Sequence, residues 1–264
     1  MCQLLGMNCN VPTDICFSFE GFAARGGGTD VHADGWGIAF FEGAGCRLFL
    51  DPEPARRSAI ADLVRRYPIK STNVIAHIRK ATQGARALEN CHPFQRELWG
   101  RYWVFAHNGN LDGVPRPVAG PYRPVGATDS EAAFCGLLDV LRARFPDGKP
   151  PLDALYPEIV AYTRALTRLG PFNYLLSDGE HLFAHCSTQL HYVVRQAPFA
   201  AAHLIDEDVT VDFRELTSPS DRVAVVVTTP LTDNEVWTPI PKGDVVVFRD
   251  GAPILGAHAG AHAP

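Results

Sequence analysis

The chain has no surplus of positive charge, no apolar run approaching the ~18 residues that mark a membrane span, and no C-x-x-C pair. Each absence closes a class of function. With 24 Lys and Arg against 29 Asp and Glu, the net charge is -5. There is no basic footprint, and no nucleic-acid partner is expected. Without an apolar span no membrane association is expected, and no secretory signal is expected because no apolar segment follows a basic start. Seven cysteines, an odd number without paired spacing, suit a reduced cytosol better than a disulfide framework, so the expected location is cytoplasmic. The run Arg25-Gly26-Gly27-Gly28-Thr29-Asp30 carries three glycines but neither G-x-x-x-x-G-K-[ST] nor a strand followed by G-x-G-x-x-G, which rules out a nucleotide cradle.

What is present begins with Met1-Cys2. Removal of the initiator methionine would leave one residue bearing both a thiol, pKa ~8.5, and an α-amine, pKa ~7.7 to 8.0, close enough to exchange a proton near neutrality. Such a residue needs no separate base. Nothing but Met1 precedes Cys2, so no pro-segment is expected. Met-Cys alone also fits a small apolar side chain opening an edge strand, and the polar clusters further along must decide.

The 264 residues are 46% hydrophobic and 20% charged, an ordinary globular profile that suits one domain over residues 1–250 with a flexible Ala-, Gly- and His-rich tail at 251–264. Cys2 to Met7 reads as a buried strand with Asn8 to Asp14 as its polar exit, and Phe17, Phe19 and Phe22 as apolar anchors. Ile38–Phe41 and Cys46–Leu50 read as a hairpin. Ile60, Leu63, Val64 and Tyr67 fall on one face of a helix between Ala55 and Tyr67.

Asn73 to Arg79 and Tyr102 to Ala106 are strand-like. They end in the polar runs Lys80-Ala81-Thr82-Gln83-Gly84 and His107-Asn108-Gly109-Asn110, where Asn-Gly predicts a turn or a left-handed residue. Thr128-Asp129-Ser130-Glu131 predicts a capping box opening a helix. Leu152 to Leu166 predicts a second helix, and five strands follow from Phe172. Strands at both ends of the chain with helices between them predict an α+β fold, two antiparallel sheets face to face with helices outside.

Cys2, His77-Ile78-Arg79-Lys80-Ala81-Thr82-Gln83-Gly84, His107-Asn108-Gly109 and Thr128-Asp129-Ser130-Glu131 in this order resemble the class II glutamine amidotransferases, N-terminal-nucleophile hydrolases with a four-layer αββα sandwich. The wider chain, with Asp34-Gly35-Trp36-Gly37 and the Phe172–Ser187 hairpin, resembles the stand-alone YafJ-type branch more than the γ-glutamyl amidohydrolase of ergothioneine synthesis. The resemblance implies that Cys2 attacks the side-chain amide of glutamine or a γ-glutamyl compound. It also implies that Asn108 and Gly109 hold the oxyanion, that Arg79 takes the substrate α-carboxylate with help from Thr82, and that Asp129 takes the α-ammonium. The chemistry agrees: a zwitterionic amino-acid end needs one cation and one anion, and an arginine can meet a carboxylate bidentately. Many synthase-linked relatives carry Trp and His where this chain has Lys80 and Gln83, and no synthase domain is expected after the sandwich. Either a separate ammonia-accepting synthase subunit takes the ammonia, or the reaction is plain γ-glutamyl hydrolysis.

Three alternatives stand beside this expectation. A γ-glutamyl peptide hydrolase would present the same glutamyl end and differ in its leaving group, set by loops such as Arg25–Asp30 and Leu111–Ala127. A catalytically silent regulatory module would retain Met1. A metal protein would use Cys91-His92 and His185-Cys186, but neighbours on a strand point to opposite faces, so neither a metal nor any cofactor is expected. His258 and His262 fall in the expected tail.

Overall fold

The computed structural model describes residues 2–29, 34–80 and 85–256. Its elements are β1 (Gln3–Thr13), α1 (Cys16–Ala24), β2 (Trp36–Glu42), β3 (Gly45–Asp51), α2 (Ala59–Arg66), β4 (Ser71–Ile78), β5 (Phe94–Leu98), β6 (Arg101–Gly109), α3 (Asp129–Arg144), α4 (Leu152–Thr167), β7 (Phe172–Ser177), β8 (Leu182–His185), β9 (His191–Gln196), β10 (Ala201–His203), β11 (Thr210–Asp212), β12 (Arg222–Val227), β13 (Thr238–Pro239), β14 (Val245–Arg249) and β15 (Ala252–Leu255).

The first seven residues of β1 are buried on both faces, which requires a layer on each side. Leu5, Met7 and Cys9 pack with residues of α1 and α2. Leu4, on the other face, packs with Val104, Leu175, Leu182 and Val246 of the second sheet. A third core lies between that sheet and the last two helices, where Phe105, Phe172 and Tyr174 meet Phe134, Leu138 and Ile159. The seven-stranded sheet runs β13-β9-β12-β1-β4-β2-β3 and the six-stranded sheet β15-β14-β8-β7-β6-β5. Every pairing is antiparallel. The result is the expected α+β sandwich in four αββα layers.

Several expectations change in detail. β1 extends through Asn8 and Asn10 because both side chains find partners: Asn8 Nδ2 donates to Asn73 Oδ1 (3.0 Å) and Asn10 Nδ2 to the Ser220 carbonyl (2.8 Å). Phe17, Phe19 and Phe22 belong to α1, a helix buried on most sides whose sequence therefore carries no stripe. The helix expected over 55–67 is a 3-10 turn at Ala55–Arg57 followed by α2. The capping box is half present: Thr128 Oγ1 accepts from the Glu131 N–H (3.2 Å), but the Glu131 carboxylate takes the Gly126 N–H (2.7 Å) and Arg96 (2.5 Å). From Gly251, where a tail was expected, Ala252–Leu255 pair with β14, while 257–264 with His258 and His262 lie outside the described residues.

The run His107-Asn108-Gly109 corrects a turn expectation. All three residues are in β6, paired with Tyr174, Asn173 and Phe172 of β7. Gly109 is required by space rather than by handedness: a Cβ there would lie 1.8 Å from the Pro171 carbonyl oxygen.

Candidate active site

Strand alternation brings the polar ends together. The even-numbered side chains of β1 face the other sheet at Leu4, and Cys2, one step before the strand, continues that face. Its Sγ accepts from the Lys80 N–H (3.2 Å) and lies 3.4 Å from the Lys80 carbonyl oxygen. Cys2 is half-buried, held by the backbone that leaves β4, while the Lys80 side chain is exposed. Burial pushes the thiol up from its ordinary pKa, and the Lys80 N–H and Arg79 only partly offset this. A group in this setting rests as a thiol and needs a base to become a nucleophile.

Asn108 is fully buried on the interlayer face of β6. Its Nδ2 donates to the Cys2 carbonyl and lies 3.4 Å from Thr228 Oγ1, while its Oδ1 is buried without a hydrogen-bond partner among the described residues. Thr228 also receives the Leu4 N–H on Oγ1 (2.9 Å), so β12, β1 and β6 are stitched at this end. Asn173 braces the same point from β7: its Nδ2 donates to the Asn108 carbonyl (3.0 Å) and to Thr188 Oγ1 (2.7 Å), and its Oδ1 receives the N–H groups of Ser187 and Thr188, both at 2.9 Å.

Arg79 follows β4 on the face shared by Ile75 and His77, and is buried. Its backbone N–H donates to the Gly35 carbonyl (2.8 Å) and its Nη1 to the Ala85 carbonyl (3.0 Å). Asp129 opens α3, where its Oδ2 accepts from the Leu111 N–H (2.7 Å) and its Oδ1 from the Ser130 N–H (2.9 Å). This ties the helix start to the chain leaving β6 two residues beyond Gly109. Thr82 lies outside the described residues.

Histidine 107 points the other way, toward α3, where its Nδ1 pairs with Ser130 Oγ (2.8 Å) and its Nε2 with the Pro171 carbonyl (3.2 Å). Burial pushes its pKa down and the nearby Asp129 carboxylate partly offsets that. The imidazole thus joins the strand carrying Asn108 to the helix carrying Asp129. The His77 and His92 rings lie with centres 4.2 Å apart, tilted by 39°. Burial, then His77, His107 and Arg79, hold His92 well below the usual histidine range.

Among the described residues, the cysteine-histidine pairs do not come together as a set of three or more ligands. All seven cysteines are free, and among the described residues the one grouping of potential ligands is Asp178, Glu180 and His181, which includes no cysteine. That grouping already holds the Lys149 ammonium against both carboxylates.

Residues 1–262 match the family described as glutamine amidotransferases class-II. The chain belongs to that family. It is 54% identical over 255 residues to "Putative glutamine amidotransferase YafJ" of Escherichia coli (strain K12), covering 97% of this chain and 100% of the relative. A crystal structure of a "predicted glutamine amidotransferase" from Pseudomonas aeruginosa PA01 is 46% identical, covers 96% of this chain and 99% of its own, and superposes with a TM-score of 0.77. The glutamine phosphoribosylpyrophosphate amidotransferase of B. subtilis shares the fold at 14% identity and a TM-score of 0.57, over 95% of this chain and 48% of that one.

Of the sequence-predicted residues, Cys2, Asn108 and Gly109, Arg79 and Asp129 gather at one end of the sandwich through the contacts above. Arg25, in the loop expected to read the leaving group, instead spends its guanidinium on Asp206 (2.7 Å) and on the Thr229 and Pro230 carbonyls (2.8 and 2.6 Å), while Asp30 lies outside the described residues. Sequence reading missed Thr228 and Asn173. A lone asparagine inside Phe172-Asn173-Tyr174-Leu175-Leu176 was the available signal, since a buried amide in an apolar strand must be bonded on both ends.

Proposed function

We propose that the protein cleaves the γ-amide bond of glutamine or a γ-glutamyl compound through a thioester on Cys2, once Met1 has been removed. The observation that carries this reading is the seat of Cys2: its sulfur meets the Lys80 backbone and its carbonyl meets the Asn108 amide, at the polar end of the interlayer rather than among hydrocarbon. With the thiol pushed up by burial, the neighbouring α-amine takes its proton as Sγ bonds to the amide carbon, and the carbonyl electrons move to oxygen. Asn108 Nδ2 and the Gly109 N–H stabilise that oxyanion, the first by sharing the N–H groups that now face Cys2 and Thr228. Collapse breaks the C–N bond, and the leaving nitrogen collects the proton from the α-ammonium. Water then attacks the thioester and releases glutamate.

Arg79 and Asp129 hold the two charges of the glutamyl end, with Thr82 adding a hydrogen bond to the carboxylate. The Asp129 carboxylate keeps acceptor sites beyond its two backbone N–H partners, which is what an ammonium ligand needs. Where the leaving group is ammonia it passes to a separate synthase subunit or is lost to water, and where it is another amine the reaction is plain γ-glutamyl hydrolysis. A reducing, cytoplasmic setting fits the free thiols, and no helix among the described residues is long and apolar enough to cross a membrane.

The test is a panel of glutamine, γ-glutamyl amides and γ-glutamyl dipeptides, with released ammonia or amine measured and the N-terminal mass recorded. The reading expects at least one substrate to turn over in protein that begins at Cys2, and none in Cys2→Ala of unchanged fold. Equal turnover by Cys2→Ala, or by protein retaining Met1, would end it.

A further inference from the structure

The two residues assigned to the substrate's charges sit on different layers, Arg79 after a strand of one sheet and Asp129 at the start of a helix outside the other. Something must fix the span between them. A carboxylate and an ammonium on one carbon are a rigid pair, so a shift of either reader weakens both contacts at once.

One side chain bridges the segments. Asn90 is buried at the end of a 3-10 turn, and its Nδ2 donates to the Ala85 carbonyl (3.0 Å), the same oxygen that receives Arg79 Nη1 (3.0 Å). Its Oδ1 accepts from the Ala127 N–H (2.8 Å), two residues before Asp129. The path Arg79–Ala85–Asn90–Ala127–Asp129 therefore contains one side chain between the two readers. The seam has no slack. A Cβ on Gly126 would lie 2.5 Å from Asn90 Oδ1 and 2.5 Å from the Glu89 carbonyl. Glu131 closes the same seam by receiving the Gly126 N–H and Arg96.

We infer that Asn90 is a positioning residue that sets the Arg79–Asp129 span and thereby selects for an intact α-amino-acid end on the substrate. This rests on the proposed function and deepens it. Asn90 touches neither substrate nor sulfur. Its loss should weaken recognition of the zwitterion while leaving the Cys2 and Asn108 chemistry in place.

The experiment compares γ-L-glutamyl anilide with glutaryl anilide, the same amide without the α-amine, in wild type, Asn90→Ala and Asn90→Asp. Asn90→Asp keeps an acceptor for Ala127 but faces the Ala85 carbonyl with oxygen, so it breaks one arm with little change in volume. For either variant KM for the glutamyl anilide should rise about tenfold with kcat within about twofold. KM for the glutaryl anilide, which engages one reader only, should change far less. A purely structural role predicts equal loss on both substrates, and that result, or an unchanged KM, overturns the inference. If Asn90→Ala does not fold, Asn90→Asp alone decides. Protection of Cys2 from iodoacetamide by L-glutamate separates the two levels. A wild type that is neither active nor protected refutes the proposed function and the inference with it, whereas a protected wild type matched by its variants refutes the inference alone.

Discussion

The two ends of the interlayer both carry buried polar groups, and they treat them differently. At the end away from Cys2, Asn8 and Asn73 bond to each other (3.0 Å) and reach across to the Glu180 carbonyl (3.4 Å) and the Gly179 carbonyl (2.8 Å) of the other sheet, while Asn8 Oδ1 takes the Gly251 N–H (2.8 Å). Asp178 beside them accepts the Glu180 and His181 N–H groups (3.1 and 2.8 Å) and faces the Lys149 ammonium. Burial alone would push the Asp178 carboxyl up, but His181 and Lys149 outweigh it and hold it well below the usual carboxylate range. At the Cys2 end, Asn108 Oδ1 and both ring nitrogens of His92 are buried without a hydrogen-bond partner among the described residues. Each such atom costs about 1 to 3 kcal/mol. The first end is cross-linked between the sheets by hydrogen bonds and an ion pair, although the His181 ring nitrogens there also lack a hydrogen-bond partner among the described residues. At the Cys2 end the bare Asn108 Oδ1 is on the side chain whose Nδ2 meets the Cys2 carbonyl.

Substitutions should therefore split by end. The largest effect belongs to Asn108→Ala, which should lower kcat about 10²- to 10³-fold, the cost of one oxyanion donor, with a melting temperature within a few degrees of wild type. Steady-state kinetics beside a thermal melt check this. Asp178→Asn should do the reverse. It leaves Lys149 with only Glu180 and should cost about 3 kcal/mol of stability at neutral pH, with turnover at 25 °C unchanged. The sign of its pH dependence follows from a carboxyl whose folded pKa is depressed. The wild-type advantage is full above the unfolded value of ~3.9 and fades as pH falls below it toward the folded value, so denaturant midpoints of the two proteins should converge in acid. Smallest is Ser130→Ala, which removes the partner of His107 Nδ1 and should cost about 1 kcal/mol in a urea titration, with a modest loss in rate because Asn108 and Asp129 are no longer tied through the imidazole.

Residue patterns made the sandwich legible where an apolar run of strand length was bounded by turn residues, as in β2, β3, β7 and β8, and where a capping signal opened a helix, as in α3. They failed for α1, which is buried on most sides, and for β5, whose Gln95-Arg96-Glu97 interior carries too few apolar residues to announce a strand. The site was legible as short motifs at strand ends, because chemistry there sits on rigid elements. Its bracing was not. Asn90, Asn173 and Thr228 act through backbone carbonyls and N–H groups far away in sequence, and no local spacing encodes such partners. The Asn-Gly pair misled for a related reason: Gly109 answers to the Pro171 carbonyl, 62 positions on, rather than to a turn.

The most direct measurement is covalent labelling with an electrophile shaped like L-glutamine, followed by peptide mapping, with and without L-glutamine as competitor. The account predicts a single adduct on Cys2, slowed by the L-isomer and not by the D-isomer, and lost in protein that retains Met1. Labelling spread over several of the seven cysteines, or an adduct on Cys2 indifferent to L-glutamine, would contradict it.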